Sequence, residues 1–374
     1  MNKLGIGIYN SYPRHLHIEP TSDCNARCPQ CPRTLHGTLH TNPNIEIAEW
    51  TPEETKQVLS DSFFKNLKKI LVNGNLGDIV KHSTPKEFLE ELIKKNVVIE
   101  IRTNGGALKT EFWSWLGTQP NIIVEFGIDG LEDTHHLYRR KTRYDVVIKN
   151  AKAYIEAGGY ASWAMTVFKH NEHQVDKCRD LSKELGFKKF KARDTTRWWA
   201  SDQKVFDKNL DYEYSLEPAS SVKYLTDNKK EYTYSREYLQ EQLNTIHKFN
   251  VDTLQPMPSI QSNKVSCLVE KTSSVYLSAD KKLWPCCWTA NEAQTAVYRN
   301  SNSPFVEKVY KQLGYDVDFN NVVKRSVRDV LATGIFRIIE NSWSGDCFSA
   351  CAHTCGKNSV WRTQLKNTKI TNKK

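Results

Sequence analysis

Cys24, Cys28 and Cys31 stand within eight residues at the spacing C-x3-C-x2-C, directly after a strand-like run from His15 to Glu19. Thiolate sulfur is a preferred ligand of iron–sulfur clusters and of zinc. Three thiolates on one short loop can hold three corners of a cubane [4Fe–4S] cluster. The fourth iron then has no protein ligand, and an open metal position is where chemistry occurs. The other use of such a loop is a zinc knuckle completed by His36 or His40, although no ligand pair at finger spacing follows. A second cysteine group lies far downstream: Cys267, the adjacent Cys286 and Cys287, and Cys347, Cys351 and Cys355 spaced by threes. The tenth, Cys178, falls on a stripe with Val175, Leu181 and Leu185, which reads as a buried structural thiol.

The elements that must position these loops alternate between strand and helix. After His15–Glu19 come strands over 69–72, 97–101, 122–126, 161–168 and 189–192, each a short apolar or alternating run. Helices are expected over 85–95, 110–116, 144–157 and 175–185, with Asn171 as N-cap of the last. Another opens at Thr51-Pro52-Glu53-Glu54, which has a capping threonine, proline in the first turn and acids facing the positive dipole end. Six β-then-α units predict parallel strands with right-handed crossovers, hence an α/β fold with an open or partial barrel. In such barrels the working loops lie at the carboxyl ends of the strands.

Polar residues collect at those ends. Asn73-Gly74-Asn75-Leu76-Gly77-Asp78 follows the second strand, where glycines permit close backbone approach and Asp78 can accept from an ammonium. Thr103-Asn104-Gly105 follows the third, and Gly127-Ile128-Asp129-Gly130, with Arg139 beyond it, follows the fourth. From Ala200 to about Gln255 the pattern loosens into a linker with one helix over 236–249. Val275–Ser278 and Leu283–Cys287 then form a hairpin about the turn Ala279–Lys282.

The spacing of Cys24, Cys28 and Cys31 after a strand resembles the signature of the radical S-adenosylmethionine (radical SAM) superfamily. That resemblance implies a partial (β/α)6 TIM-like barrel, an open-iron [4Fe–4S] cluster and SAM chelated at that iron. It also implies SAM contacts at Gln30, Gly74, Asn75, Asp78, Asn104, Asp129 and Arg139, with Arg139 pairing with the SAM carboxylate. Three departures from the family pattern stand out: no Gly-Gly-Glu in the glycine stretch, Gly127 in place of a serine, and Gln30 in place of an aromatic. The downstream cysteines resemble the SPASM and twitch domains of such enzymes, a smaller C-terminal α+β unit. The family's blocks select Cys267, Cys286, Cys351 and Cys355 for one auxiliary [4Fe–4S] cluster, with Cys287 and Cys347 spare or substituting; structural zinc on the same thiolates is the alternative. The implied division is an extension over 1–13, a radical SAM core over 14–205, a linker over 206–258, the auxiliary domain over 259–358 and a basic tail over 359–374.

At 374 residues, two domains are expected. Ten cysteines in a chain of this size read as metal ligands in a reducing cytoplasm, the host's for a viral chain. The start shows no secretory pattern, and no apolar run is long enough for a bilayer at a mean hydropathy of −0.61, so no membrane partner is expected. Half of the net charge of +10 comes from Arg362, Lys366, Lys369, Lys373 and Lys374 in a tail without acids. The overall pattern, including Trp163, Val167–Asn171 and Arg193–Trp198, resembles uncharacterised radical SAM proteins of bacteria and tailed phages. The leading expectation is an enzyme that cleaves SAM reductively and modifies a peptide or protein side chain, reduced by a donor such as flavodoxin or ferredoxin. A second is an enzyme acting on a nucleotide, sugar or RNA through Arg193, Arg197, Trp198 and Trp199. A third is a non-catalytic iron–sulfur or zinc module.

Overall fold

The protein is described from a computed structural model that covers residues 12–35, 37–43, 45–195, 197, 203–220, 223–225, 231–233, 265–298, 309, 313, 316–345 and 347–356. His36, Thr196, Trp198, Trp199, the expected helix over 236–249 and the basic tail lie outside the described residues.

Six strands run parallel in sequence order: β1 (His15–Ile18), β2 (Lys69–Val72), β3 (Val98–Thr103), β4 (Ile122–Gly127), β5 (Tyr160–Thr166) and β6 (Lys189–Arg193). Helices α1 (Pro52–Leu59), α2 (Pro85–Ile93), α3 (Thr110–Gly117), α5 (Tyr144–Glu156) and α6 (Val175–Glu184) come in the connections, together with α4 (Glu132–Tyr138). This is the partial (β/α)6 barrel that the alternation predicts. Thr51 caps α1 through a reciprocal capping box with Glu54. One face of the sheet, Leu16, Ile18, Ile70, Val72, Ile99, Ile101, Val124 and Phe126, packs in a single core with Trp113, Tyr154 and Leu89 from the helices. Burial of this face supplies the main stabilisation, at about 25 cal/mol per Å² of apolar surface. Cys178 is fully buried in that core, as its stripe predicts.

Four local expectations are corrected. The helix α4 had no assignment in the sequence; seven residues with two adjacent histidines carry little apolar periodicity. Asn171 does not cap α6: its Oδ1 accepts from Phe168 N, its Nδ2 donates to Asp129 O and Thr166 O, and a 3-10 turn over Glu172–Gln174 intervenes. The expected linker holds an antiparallel pair, β7 (Lys204–Phe206) with β8 (Tyr212–Ser215), and a further pair, β9 (Lys223–Leu225) with β10 (Glu231–Thr233). Arg140 anchors β7 and β8 by donating to Phe206 O and pairing with Glu213.

The fourth difference concerns the late hairpin. Strand β11 (Ser274–Leu277) pairs parallel with β1, and β12 (Leu283–Trp284) pairs antiparallel with β11. The hairpin therefore extends the barrel sheet to eight strands in the order β12-β11-β1-β2-β3-β4-β5-β6. The return strand stops at Trp284, because Pro285 cannot donate to a ladder and Cys287 begins a helix, Cys287–Tyr298. Shorter helices follow over Val327–Ala332, Ile335–Asn341 and Ser349–Cys355.

The loops after β1 and β2 touch backbone to backbone at Gly77. A Cβ there would lie 1.7 Å from Thr21 O and 2.8 Å from Asp23 O. Gly77→Ala is therefore expected to destabilise the chain by about 3 kcal/mol, measured as a lower midpoint in urea unfolding. An unchanged midpoint would contradict the packing.

Candidate metal and cofactor site

The cysteine loop leaves β1 at Glu19 and is braced by two arginines. Arg33, 3 % exposed, donates from Nε to Ser22 O and from Nη1 to Cys24 O, and its other nitrogen pairs with Asp23. Arg27 donates to Cys24 O and Ala26 O at 2.7 and 2.8 Å. These bonds fix the loop carbonyls and leave Cys24, Cys28 and Cys31 as free, partly exposed thiols. Burial, with the charges of Asp78 and the two other cysteines, pushes the Cys24 thiol well up. Burial likewise takes Cys28 to about 11, opposed by Arg139. The raised thiols of Cys24 and Cys28 call for a cationic centre to ionise them, which is what a cluster's irons would supply. Among the described residues no three His, Cys, Asp or Glu side chains close around a single ion. A cubane asks for less, since each thiolate takes its own iron. The donor set thus fits a cluster.

The neighbouring loops meet this one through their backbones. Glu19, fully buried, accepts from Leu76 N at 2.7 Å and Gly77 N at 3.2 Å, and from Tyr276 OH at 3.0 Å. Asp78 N donates to Asp23 O at 2.8 Å. The Asp78 carboxylate accepts from Thr103 Oγ1 at 2.6 Å, Asn104 N at 2.7 Å and Val80 N at 3.2 Å. It therefore ties the ends of β2 and β3 together, with three of about four acceptor positions used inside the protein. Asn104 Nδ2 donates to Asn25 Oδ1 at 2.9 Å and lies 3.5 Å from Cys24 Sγ. Asn75 donates to Cys287 O at 2.7 Å, and Gly74 turns tightly against Gly77.

Asp129 and Arg139 form the charged pair at the end of β4. Arg139 Nε donates to Asp129 Oδ2 at 2.6 Å, while Asp129 Oδ1 accepts from Thr166 N. Burial acts to lower Arg139, but Asp129 and Cys28 outweigh it and hold the guanidinium firmly charged. A Cβ on Gly127 would fall 2.5 Å from Arg139 Nη2. Glycine in place of the family's serine thus makes room for this arginine, a compensation not visible along the sequence. Gln30, 1 % exposed, accepts from Thr195 Oγ1 at 2.8 Å and donates to Gln203 Oε1 at 2.6 Å. Where the family has a stacking ring, this chain has an amide that joins the cysteine loop to the segment after β6. The residues missed by sequence reasoning are Glu19, Arg33 and Tyr276; the one available signal for Glu19 was a carboxylate in an otherwise buried strand end.

The downstream cysteines fall into two sets. The thiol of Cys267 is raised first by its hydrogen bond with Cys355, then by burial and Cys286. That of Cys351 is raised first by its hydrogen bond with Cys347, then by burial and Cys286. Cys286 thus acts on both pairs, Cys267–Cys355 and Cys347–Cys351, and Cys347 is hydrogen-bonded to Cys351, one of the four selected residues. Cys287 feels other groups besides Cys286: burial, then Cys286, raise it, Arg197 opposes and Glu19 contributes. It also acts on Arg102 of β3 and Tyr276 of β11. A groove of about 910 Å³ between Thr110, Glu132, Tyr144 and Lys152 shares no residue with either cysteine group.

From this separation, Cys286→Ala is expected to remove the downstream iron, about half of some eight irons per anaerobically reconstituted chain. Cys287→Ala is expected to leave it. Iron analysis decides, and equal loss in both variants would contradict the placement.

Residues 18–181 match the model of the radical SAM superfamily. The chain is 23% identical over 319 residues to the antilisterial bacteriocin subtilosin biosynthesis protein AlbA of Bacillus subtilis (strain 168), covering 81% of this chain and 63% of that protein. It therefore spans less than two thirds of the length of that curated relative. Among solved structures, Streptococcus suis SuiB bound to precursor peptide SuiA aligns with a TM-score of 0.51 at 14% identity, over 91% of this chain and 76% of the other. Native anSMEcpe with bound AdoMet and Cp18Cys peptide aligns with a TM-score of 0.50 at 15% identity, over 94% of each chain. These likenesses bear on the fold, and the sequence match reaches the cysteine loop itself. Over residues 18–181, less than half of its length, the chain is similar to the radical SAM superfamily.

Proposed function

We propose that this protein is a radical SAM enzyme that takes hydrogen from a side chain of a peptide or protein. The observation that carries the reading is the cysteine loop at the carboxyl end of β1, packed backbone to backbone on the glycine loop at the end of β2. Cys24, Cys28 and Cys31 would hold the cluster, and an external donor such as flavodoxin or ferredoxin would reduce it. Such a cluster supplies one electron to SAM and thereby a 5′-deoxyadenosyl radical able to remove hydrogen from an unreactive C–H. The chain's own residues orient and exclude. Asp129 holds Arg139 charged for a carboxylate, a charge-assisted contact. Asp78 fixes Asn104, whose amide is aimed at Cys24 Sγ. Gln30 closes the loop against Thr195 and Gln203, which shuts water out from one side.

A peptide substrate is supported by the relatives: the curated one is a bacteriocin biosynthesis protein, and both aligned structures hold peptides. Cys267, Cys286, Cys351 and Cys355, with Cys347 beside Cys351, would hold one auxiliary cluster on the barrel's added edge. The nucleic-acid reading rested partly on Trp198 and Trp199, which lie outside the described residues. Among the described residues no helix is long and apolar enough to cross a membrane.

Changing Cys24, Cys28 and Cys31 together to alanine should reduce formation of 5′-deoxyadenosine from SAM to background. Cys178→Ala should retain it, at a cost of about 1 kcal/mol in stability from the buried thiol. Chromatographic assay of the reduced, reconstituted proteins checks both. Undiminished cleavage in the triple variant would overturn the proposal.

A further inference from the structure

The sheet face turned away from the helices is charged. By register it presents His17, Glu100, Arg102, Glu125, Lys191 and Arg193 on neighbouring strands. Glu125 is the centre of this set. Its Oε1 lies 3.2 Å from Arg193 and 3.6 Å from Arg102, and its Oε2 lies 2.9 Å from Lys191. Glu100 takes Arg102 at 2.7 Å and also pairs with Lys69. Four cations therefore share two carboxylates.

Exposure divides the set by sign. The Glu125 side chain is 4% exposed, whereas Lys191, Arg102 and Arg193 are 33%, 37% and 45% exposed. The carboxylate lies beneath and the cationic heads lie on top, so a molecule on this face meets positive charge. Burial acts against ionisation of Glu125, yet Arg193 and Arg102 hold its carboxyl below the usual range. Among the described residues it is spent on its neighbours and still leaves a surplus of positive charge. An ion-pair network built only for stability has no use for such a surplus, since unpaired like charges at close range repel. The position is also informative. Gly127, which Arg139 covers, lies two residues beyond Glu125 on the same face of β4, a rise of roughly 6.6 Å. The cationic patch therefore sits one strand repeat below the ends where the cysteine loop lies.

We propose that the substrate group entering the barrel is an oxyanion, a carboxylate or phosphate on a peptide side chain, bound by Arg102 and Arg193 with Lys191. This rests on the peptide-modifying reading above and gives its substrate class. The planar guanidinium forks suit a bidentate oxyanion, and Glu125 holds them in place as an internal counter-charge that the ligand partly displaces. Glu125 is then a positioning residue with a measurable signature: its removal strengthens binding.

The test uses the full reconstituted chain and three capped pentapeptides, identical glycine frames with a central glutamate, phosphoserine or glutamine. In titration calorimetry, the glutamate or phosphoserine peptide should bind about tenfold more tightly than the glutamine peptide. Whichever of the two is preferred names the source of the oxyanion. Arg102→Gln and Arg193→Gln should bring all three within about twofold. Glu125→Gln should raise affinity for the anionic peptides several-fold and leave the glutamine peptide unchanged, a gain that an unfolded or loosened variant cannot produce. Equal affinities in the unaltered protein, no binding of any of the three at millimolar concentration, or weakening of all three by Glu125→Gln would overturn the inference. Cleavage of SAM is followed in the same samples. Cleavage without anion preference defeats this inference alone; anion preference without cleavage defeats the radical SAM reading and leaves the oxyanion site standing.

Discussion

The Glu19 carboxylate is the constraint on which the upper end of the barrel depends. It is fully buried, and it gathers Leu76 N and Gly77 N from the glycine loop, Tyr276 OH from β11 and Ala279 N from the turn after it. Three separate segments are thus held to the point where the cysteine loop begins. Burial raises the Glu19 carboxyl, and those hydrogen bonds oppose the rise. A group whose folded value is raised favours the folded state most at low pH and less as pH rises through that value. The fold therefore carries the cost of burying a carboxyl, and the return is a fixed arrangement of three loops. A buried polar group of this kind persists only where it is hydrogen-bonded.

Two consequences follow from that junction. The glycine loop lies so close to Thr21 and Asp23 that position 77 admits no side chain, which fixes the cysteine loop from below. The added hairpin cannot drift from the barrel, because Tyr276 and Ala279 share the same carboxylate and β11 is paired to β1 throughout. Cys286 and Cys287 therefore follow directly on an extension of the barrel sheet. The two, adjacent in the chain, act on different groups: Cys286 on Cys267 and Cys351, and Cys287 on Arg102 and Tyr276 of the barrel.

The sequence made legible what is carried by local chemistry. The apolar runs placed all six barrel strands, Thr51 and Pro52 placed the start of α1, and the spacing of Cys24, Cys28 and Cys31 marked the candidate site. The parts not legible depend on contacts distant in the chain. Nothing near Gly127 shows that Arg139 fills the space of a side chain there, and nothing near Gln30 shows its amide partners at Thr195 and Gln203. The hairpin at Val275 reads correctly as a hairpin, but its parallel pairing with β1, some 260 residues earlier, leaves no local mark. Asn171 looks like a helix cap and instead bonds back to Phe168, Asp129 and Thr166, since tertiary partners compete with capping for the same amide.

The central claim is that the loop of Cys24, Cys28 and Cys31 presents an iron with an open position to SAM. Electron paramagnetic resonance of the reduced, reconstituted protein tests it most directly, because a ligand arriving at one iron perturbs the signal of that cluster alone. Addition of SAM is predicted to shift part of the spectrum and leave the remainder, and to shift nothing once those three cysteines are alanine. A spectrum that SAM leaves unaltered in the intact protein would contradict the account.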